Sequence, residues 1–443
     1  MSIRVRFAPS PTGQVHIGNI RAAIYNWLFA RHHGGKFLLR VEDTDRERST
    51  PEAVATVFAA LQWLEIDYDE EPVYQSSRQS AHLEAAEKLL SAGLAYKADK
   101  GDTGKGEAVL FKMPGRDLSF HDELKGELSK KAEDLQDLVI VRSNGTPVFH
   151  LANVVDDIHM GITHVIRGDD HIENTYRHVA LYEALQGQVP RFAHLPMIVN
   201  AQGKPYSKRD GAAFVGEFRD QGYRADAFFN YLVLLGWAPG DDREVMSRAE
   251  IVQAFDLTQV KSSAAQVDLA KCEWMNGEYI RAMPLEEFRA PFTETLTSNG
   301  VDLSGFSEEY TRQVMELMQV RTKLYAKIPD DTRFFFCEDF EYNEKGVRKR
   351  LQRDGALDHL SALRERLATL DDFTAVSLEE CVRAVAEERG VSPGELMHPT
   401  RVAVSGLTYG PGLFEILEIL GRDRVGARMQ RVGERFAGPP ADL

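Results

Sequence analysis

The sequence predicts an α/β protein: a parallel sheet with helices on its faces, then a second half that is helical from about residue 216. Three observations carry that reading. Arg4–Ala8 alternates like a buried strand and Lys36–Glu42 (KFLLRVE) is a second strand. Between them Ile20, Ala23, Ile24, Trp27 and Leu28 recur at helical spacing, which completes a βαβ unit with parallel strands and a right-handed crossover. Beyond roughly 305 the period stays helical, with stops such as Pro329 and Gly421.

Pro9, Pro11 and Gly13 forbid further strand or helix, so a tight loop joins the first strand to a helix running from near His16 to about His33. Gly34-Gly35 ends it. Pro51 suits the first turn of a helix that carries Val54, Val57, Phe58 and Leu61 to Trp63. Another helix spans about Arg78 to Ser91 and stops at Gly93. Lys97–Gly106 (KADKGDTGKG) reads as a mobile loop, so 94–136 is expected to be a small insertion interrupting the sheet. The sheet should resume with LVIVRS (138–143), a turn at Asn144-Gly145, and a run from Val148 to Val155 ending in Asp156-Asp157. THVIRGDDH (163–171) is a further strand, and its helix runs from about Asn174 to Leu185. His194–Val199 is read as the last strand, before the loop GKPYSKRDG (203–211). Helices follow at Phe228–Leu235, Arg248–Phe255 and Leu269–Ile280, and the AGPPAD tail is expected to be disordered.

At 443 residues the chain is too long for one core, and two to four domains are expected. No apolar run approaches the ~18 residues of a membrane span. The start, MSIRVRF, lacks the pattern of a signal peptide. The three cysteines lie far apart, with neither CxxC spacing for zinc nor an even-numbered disulfide frame. A soluble cytoplasmic enzyme without zinc is expected. The net charge of −15 does not argue against a nucleic-acid partner, because binding depends on where basic residues sit. Lys345, Arg348, Lys349, Arg350 and Arg353 form one basic cluster, either a solvated helix face or an RNA-facing stripe.

A strand, a Pro/Gly loop and a helix N-terminus make an anion site, where His16 can donate to a phosphate and Gly18 lets a ligand approach the backbone. In open α/β sheets ligands sit beyond the C-terminal ends of the strands. Arg6–Ser10, Glu42, Asn153, Arg167 and the 203–211 loop are all expected there. His150, His159, His164, His171 and His178 crowd one region, but at spacings that suit buried or loop histidines better than a metal site. Asp156-Asp157 and Asp169-Asp170 could hold Mg²⁺ but read rather as turn chemistry.

RFAPSPTG followed by HIGN, RVEDTDRERS at 40–49 and SKR at 207–209 together resemble the bacterial glutamyl-tRNA synthetases, class I aminoacyl-tRNA ligases. The likeness runs from Arg4 to the HPTRVAVSG stretch at His398. It implies a Rossmann-type catalytic domain in two halves, 1–93 and 137–215, split by an acceptor-binding insertion at 94–136. A helical stem-contact domain (216–304) and a helical anticodon-binding domain (305–443) would follow. It also implies a monomer that activates L-glutamate with ATP and Mg²⁺ and transfers it to tRNA(Glu), activation waiting for bound tRNA. On this likeness His16 and Lys208 are the catalytic residues. His16, Gly18, Asn19, His171, Ser207, Lys208 and Arg209 would meet ATP, while Arg6, Ser10, Glu42, Asn153, Arg167 and Phe149 would line the glutamate pocket. Three positions depart from the family pattern. Asn19 stands where the general motif has a second histidine, Pro205 where a lysine usually opens the second motif, and Phe149 where relatives usually carry tyrosine. Two other readings share the fold: a paralogue that glutamylates a modified tRNA base, and a non-catalytic RNA-binding paralogue. A third is a nucleotidyltransferase making a small-molecule adenylate.

Overall fold

The computed structural model describes residues 2–44, 48–99 and 106–437. The middle of the 97–106 loop and the last six residues of the tail lie outside that range. Contacts divide the chain into two compact units, Met1–Met275 and Asn276–Leu443.

In the first unit β1 (Arg4–Phe7), α1 (Ile17–His32) and β2 (Lys36–Val41) form the expected βαβ unit. β1 and β2 pair in parallel from Arg4↔Lys36 to Phe7↔Leu39. α1 is buried on most of its circumference, from Ile17 through Ile24, Tyr25 and Leu28 to Ala30, because it packs both on the sheet and under later helices. α2 (Pro51–Trp63) starts with the Thr50 hydroxyl accepting from the Ala53 amide, with Pro51 where no amide donor is needed. β3 (Val73–Tyr74) pairs in parallel with β2, and α3 (Gln79–Ser91) ends before Gly93, whose φ of +70° suits a residue without a side chain.

The next stretch differs from expectation. β4 (Ala95–Ala98), β5 (Ala108–Phe111) and β8 (Leu138–Val141) form an antiparallel sheet of their own, so 138–143 does not resume the parallel sheet. Between them β6 (Leu118–Asp122) and β7 (Gly126–Lys130) form a hairpin. Beyond them, β9 (His164–Gly168) and β10 (Arg191–Leu195) pair in parallel, and β10 takes β6 on its other side. The hairpin therefore joins a four-stranded sheet ordered β7-β6-β10-β9. Thr163, one residue before β9, donates its amide to the Arg4 carbonyl, which sets β9 beside β1. Short runs such as AVLF and LVIV are buried on both faces, so their sequence carries no sign of which partner they choose.

The run from Val148 to Val155 is not extended either. It is α4 (Phe149–His159), packed against α3 and α5 (Ile172–Ala184). Leu151 to Val154 are all buried, which makes a helix enclosed on several sides look like a strand. Asn153 accordingly lies within a helix, not at a strand end. His194–Val199 is two strands: Pro196 separates β10 from β11 (Ile198–Val199), which pairs with β12 (Ala265–Gln266) much later. After a short α6 (Val215–Asp220), α7 (Ala225–Leu234), α8 (Arg248–Ala254) and α9 (Leu269–Ala282) supply the three expected helices.

The second unit is helical in every described element: α10 (Leu285–Ser298), α11 (Glu308–Gln319), α12 (Ile328–Phe336), a short α13 (Glu344–Gly346), α14 (Ala356–Ala368), α15 (Ala375–Glu388), α16 (Pro393–Ser405), α17 (Leu413–Leu420) and α18 (Arg422–Phe436). Phe288, Phe292, Met315, Phe335, Leu363, Val382 and Ile416 lie in one core. Gly421 ends α17 at φ +78°, as expected, but Pro329 opens α12 instead of ending a helix. The basic cluster lies exposed along α13, the π-helical turn Val347–Leu351 and the loop after it. No described helix is long and apolar enough to cross a membrane.

Candidate active site

Two stretches remote in sequence close over the N-terminus of α1. The Ile17 amide donates to Ala213 and the Val215 amide to Val15, so residues 213–215 run beside 15–17. His16 is the N-cap: its Nδ1 accepts from the Gly18 amide at 3.1 Å. Its Nε2 then carries the proton and donates to the Tyr206 carbonyl at 3.1 Å. Both ring nitrogens are thus engaged, and His16 ties the helix start to the 203–211 loop where a free phosphate donor was expected. Burial holds its pKa below the ordinary histidine value, partly offset by the Tyr206 carbonyl, so the ring is neutral near pH 7. A Cβ on Gly18 would sit 3.3 Å from His16 Nδ1, crowding the cap. Asn19 is exposed, and so is Ser10, whose neighbour Pro9 accepts from the Glu42 amide. Across the opening, Asp210 accepts from the Ser207 amide and hydroxyl and from Asn200, which folds Ser207–Asp210 into one fixed turn. Gly211, at φ +137°, completes it. Lys208 and Arg209 project from this turn into solvent; Lys208 is 3.9 Å from Glu217.

Below the sheet end lies a buried ionic network. Arg6, on β1, donates through Nε and Nη2 to Asp157 of α4 at 3.1 and 3.3 Å. Arg40, on β2 and fully buried, donates to the same Asp157 and, at 3.1 Å, to Glu42 Oε1. Asn153 donates to that Glu42 oxygen at 3.1 Å. Its own Oδ1 is buried without a partner among the described residues. Burial favours a protonated Asp157, but Arg40 and Arg6 overcome it and hold the carboxyl down at about 2. Glu42, just past the end of β2, is thus fixed in place by an arginine and an amide.

Arg167, near the end of β9, is surrounded differently. It donates to Thr175 Oγ1 at 2.7 Å, to the His171 carbonyl and His194 Nε2 at 3.4 Å, and faces His178 Nδ1 at 3.5 Å. Among the described residues no carboxylate lies within ion-pair distance of it. Burial, then the nearby Arg6, push its pKa down to about 10. A buried cation with only neutral acceptors is electrostatically short of one anion. Phe149 lies edge-on to His150 and tilted toward His171 and His178, apolar where a tyrosine would carry a hydroxyl.

The same histidines make the site acid-sensitive. Burial, with Arg177 and Arg167 next, pushes His150 down to about 4, and burial with Arg167 pushes His178 well below its ordinary value. Unfolded histidine titrates near ~6.5, so as pH falls below that the unfolded chain takes up protons first. Stability should therefore fall between about pH 6.5 and 4, by at most about 1.4 kcal/mol per pH unit for each such histidine. His150→Gln should flatten the slope of unfolding free energy against pH in that window, measured by urea titration; an unchanged slope contradicts the assignment.

The structure thus gathers Arg6, Glu42, Asn153, Phe149, Arg167 and His171 on one side, and His16, Gly18, Asn19, Ser207, Lys208 and Arg209 around one helix N-terminus. His150 and His178 touch at 3.1 Å, whereas His159 and His164 lie at other ends of their elements. Asp156-Asp157 is neither a turn nor a cation site: both side chains are buried on α4, Asp156 held by Arg78, His82 and Gln75. Sequence reading did not single out Arg40, Asp122, Thr175 or His194. A buried arginine inside an otherwise apolar strand, as in KFLLRV, was the available signal for Arg40.

The model for the catalytic domain of class I tRNA synthetases (E and Q) matches residues 2–103 and 98–274, and that for an anticodon binding domain matches 282–432. A glutamate–tRNA ligase from Caldanaerobacter subterraneus subsp. tengcongensis is 39% identical over 97% of this chain and 97% of its own. One from Moorella thermoacetica is 38% identical with the same coverage of both. The chain belongs to the glutamate–tRNA ligase family of class I tRNA synthetases. Its fold matches the crystal structure of a glutamate tRNA ligase from Elizabethkingia meningosepticum in complex with its amino acid, at a TM-score of 0.85 and 31% identity over 98% of this chain and all of that one. A class I glutamate–tRNA ligase of this kind carries its chemistry on a parallel sheet and continues into a helical anticodon-binding domain.

Proposed function

We propose that the two halves of this site hold the two substrates of glutamate activation. Arg167 takes the side-chain carboxylate of L-glutamate, and its lack of an anionic partner among the described residues is the observation that carries the reading. Arg6 offers the guanidinium edge that Asp157 leaves free, Glu42 accepts from the α-ammonium, and Asn153, Ser10 and Phe149 complete the wall. At the start of α1 the amides of residues 17–20 are already bonded to Ala213 and His16, so it is the positive end of the helix, with Gly18 and Asn19 in its first turn, that receives the triphosphate of ATP. Lys208, Ser207 and Arg209 close on it from the opposite loop, and His171, beside Arg167 and Phe149, approaches the nucleotide from the glutamate side. His16 acts by holding those two stretches in register. Mg²⁺ arrives with the phosphates, which supply most of its ligands, and adds positive charge there. The reading needs no zinc.

The α-carboxylate then attacks the α-phosphorus and expels diphosphate, and a ribose hydroxyl at the 3′ end of tRNA(Glu) attacks the resulting acyl-adenylate, releasing AMP. No protein nucleophile is required for the first step, only alignment and neutralisation of phosphate charge. We assign contact with the acceptor end to 94–136, stem contact to 216–304 and anticodon reading to 305–443, in a monomer working in the cytoplasm.

The test is ATP-dependent attachment of labelled glutamate to tRNA(Glu) and tRNA(Gln) transcripts in parallel. Charging of the first transcript is the expected result, and charging of both would make the enzyme non-discriminating. Glutamate activation without charging of either would point to modification of a tRNA base, and complete inactivity to a non-catalytic RNA binder. Lys208→Ala should lower the rate of adenylate formation about 10²-fold, the size seen on removing one transition-state donor, with glutamate affinity nearly constant. An unchanged rate in rapid-quench measurements would remove the loop from the chemistry.

A further inference from the structure

Arg167 is aimed by a chain of hydrogen bonds that leads away from the pocket to the β6–β7 hairpin. Asp122, the last residue of β6, is fully buried and accepts from four N–H groups: the Leu124 and Lys125 amides on Oδ1, at 3.0 Å each, and the His194 amide (3.0 Å) and Nδ1 (2.6 Å) on Oδ2. His194 on β10 is buried as well, and its Nε2 lies 3.4 Å from Arg167 Nε and 2.9 Å from Thr175 Oγ1. Arg167 has only donors, so that nitrogen must accept, and the ring proton must sit on Nδ1 toward Asp122. Thr175 accepts from Arg167 Nη2 and has a single proton to give, to His194 or to the His171 carbonyl.

We propose that Asp122 and His194 are positioning residues for glutamate recognition: the carboxylate fixes the imidazole tautomer, and the imidazole with Thr175 fixes the direction of the Arg167 guanidinium. This rests on the reading of Arg167 as the anchor for the substrate carboxylate. The arrangement follows the logic of a metal-bound histidine oriented by an outer carboxylate, with a guanidinium in place of the metal. Burial outweighs the pull of Asp122 and holds His194 below its ordinary pKa, while Asp122 is held low by His194 and the turn amides against its own burial; the pair is a neutral ring and a carboxylate. Why a carboxylate is needed follows from its four donors. In Asp122→Asn one of the two oxygens becomes an NH₂. If the remaining oxygen keeps the turn amides, the NH₂ faces Nδ1, the tautomer reverses, and an N–H is brought against Arg167 Nε.

The test is steady-state charging of tRNA(Glu) by the full-length enzyme with glutamate and ATP varied separately. Asp122→Asn should raise the glutamate KM roughly tenfold, one misdirected hydrogen bond to a charged group, while the ATP KM stays within about twofold. Thr175→Val should do the same and Thr175→Ser should restore the parent value, a rescue that loss of packing would not give; this pair decides the matter if the Asp122 variant does not fold. An unchanged glutamate KM in Asp122→Asn and Thr175→Val, equal rises for glutamate and ATP, or a serine variant as impaired as the valine one would overturn the proposal. Arg167→Ala, run alongside, separates the two levels. If it leaves the glutamate KM unaltered the pocket reading itself is wrong; if it raises it while Asp122→Asn and Thr175→Val do not, only the positioning role fails.

Discussion

Replacing Arg167 with alanine is expected to lower kcat/KM for glutamate by about 10²–10³-fold, because truncating one partner of a buried, hydrogen-bonded charge pair costs about 3–4 kcal/mol. The free protein should tolerate the change. Arg167 is buried among neutral acceptors and beside a second arginine, so its removal relieves a desolvated charge as well as leaving Thr175 and His194 short of a donor. ATP binding should be nearly intact, since the helix N-terminus and the 203–211 loop are built from other residues. Equilibrium binding of ATP and of glutamate to the variant checks both halves; equal losses would mean that the pocket has been assigned wrongly.

Asp157→Ala should behave in the opposite way, as a stability variant first. It would leave Arg6 and Arg40, both buried, without their shared carboxylate and the Tyr182 hydroxyl without its acceptor. Breaking a buried pair by removing one partner costs about 3–5 kcal/mol. The loss should appear in unfolding of the first unit, so denaturant titration needs a probe confined there, such as the tryptophans Trp27, Trp63 and Trp237. Asp157 is held at about 2, below its unfolded value, so its contribution is present above the unfolded pKa of ~3.9 and disappears as pH falls toward 2. The variant should therefore approach the parent at low pH. A parent-like unfolding midpoint at neutral pH would contradict the network.

How far the sequence disclosed this site depends on whether the information is local. α1, the Pro/Gly loop before it and the 203–211 loop are legible because spacing and backbone-restricting residues speak for themselves. The partners beneath the pocket are not. Arg6 meets Asp157 across 151 residues, Arg40 meets it across 117, and Asp122 meets His194 across 72, and no periodicity reports such meetings. α4 reads as a strand for a related reason. A helix covered on several sides loses its polar face, so Asn153 and Asp157 appear on a strand and in a turn when they belong to one helix whose buried side chains reach the sheet end. His16 shows a third limit: its place at the helix start could be read, but not that both ring nitrogens are committed to protein groups.

The most direct measurement is of substrate discrimination, with adenylate formation from glutamate, glutamine and aspartate in the presence of tRNA(Glu) compared in the parent enzyme and in Arg167→Ala. If the buried guanidinium reads the side-chain carboxylate, the parent should prefer glutamate over glutamine by a factor of about 10² or more, and the variant should lose most of that preference. Aspartate, one methylene short, should be disfavoured in the parent by about 10–10²-fold through fit alone. A variant that still separated glutamate from glutamine as the parent does would show that Arg167 is not the anchor.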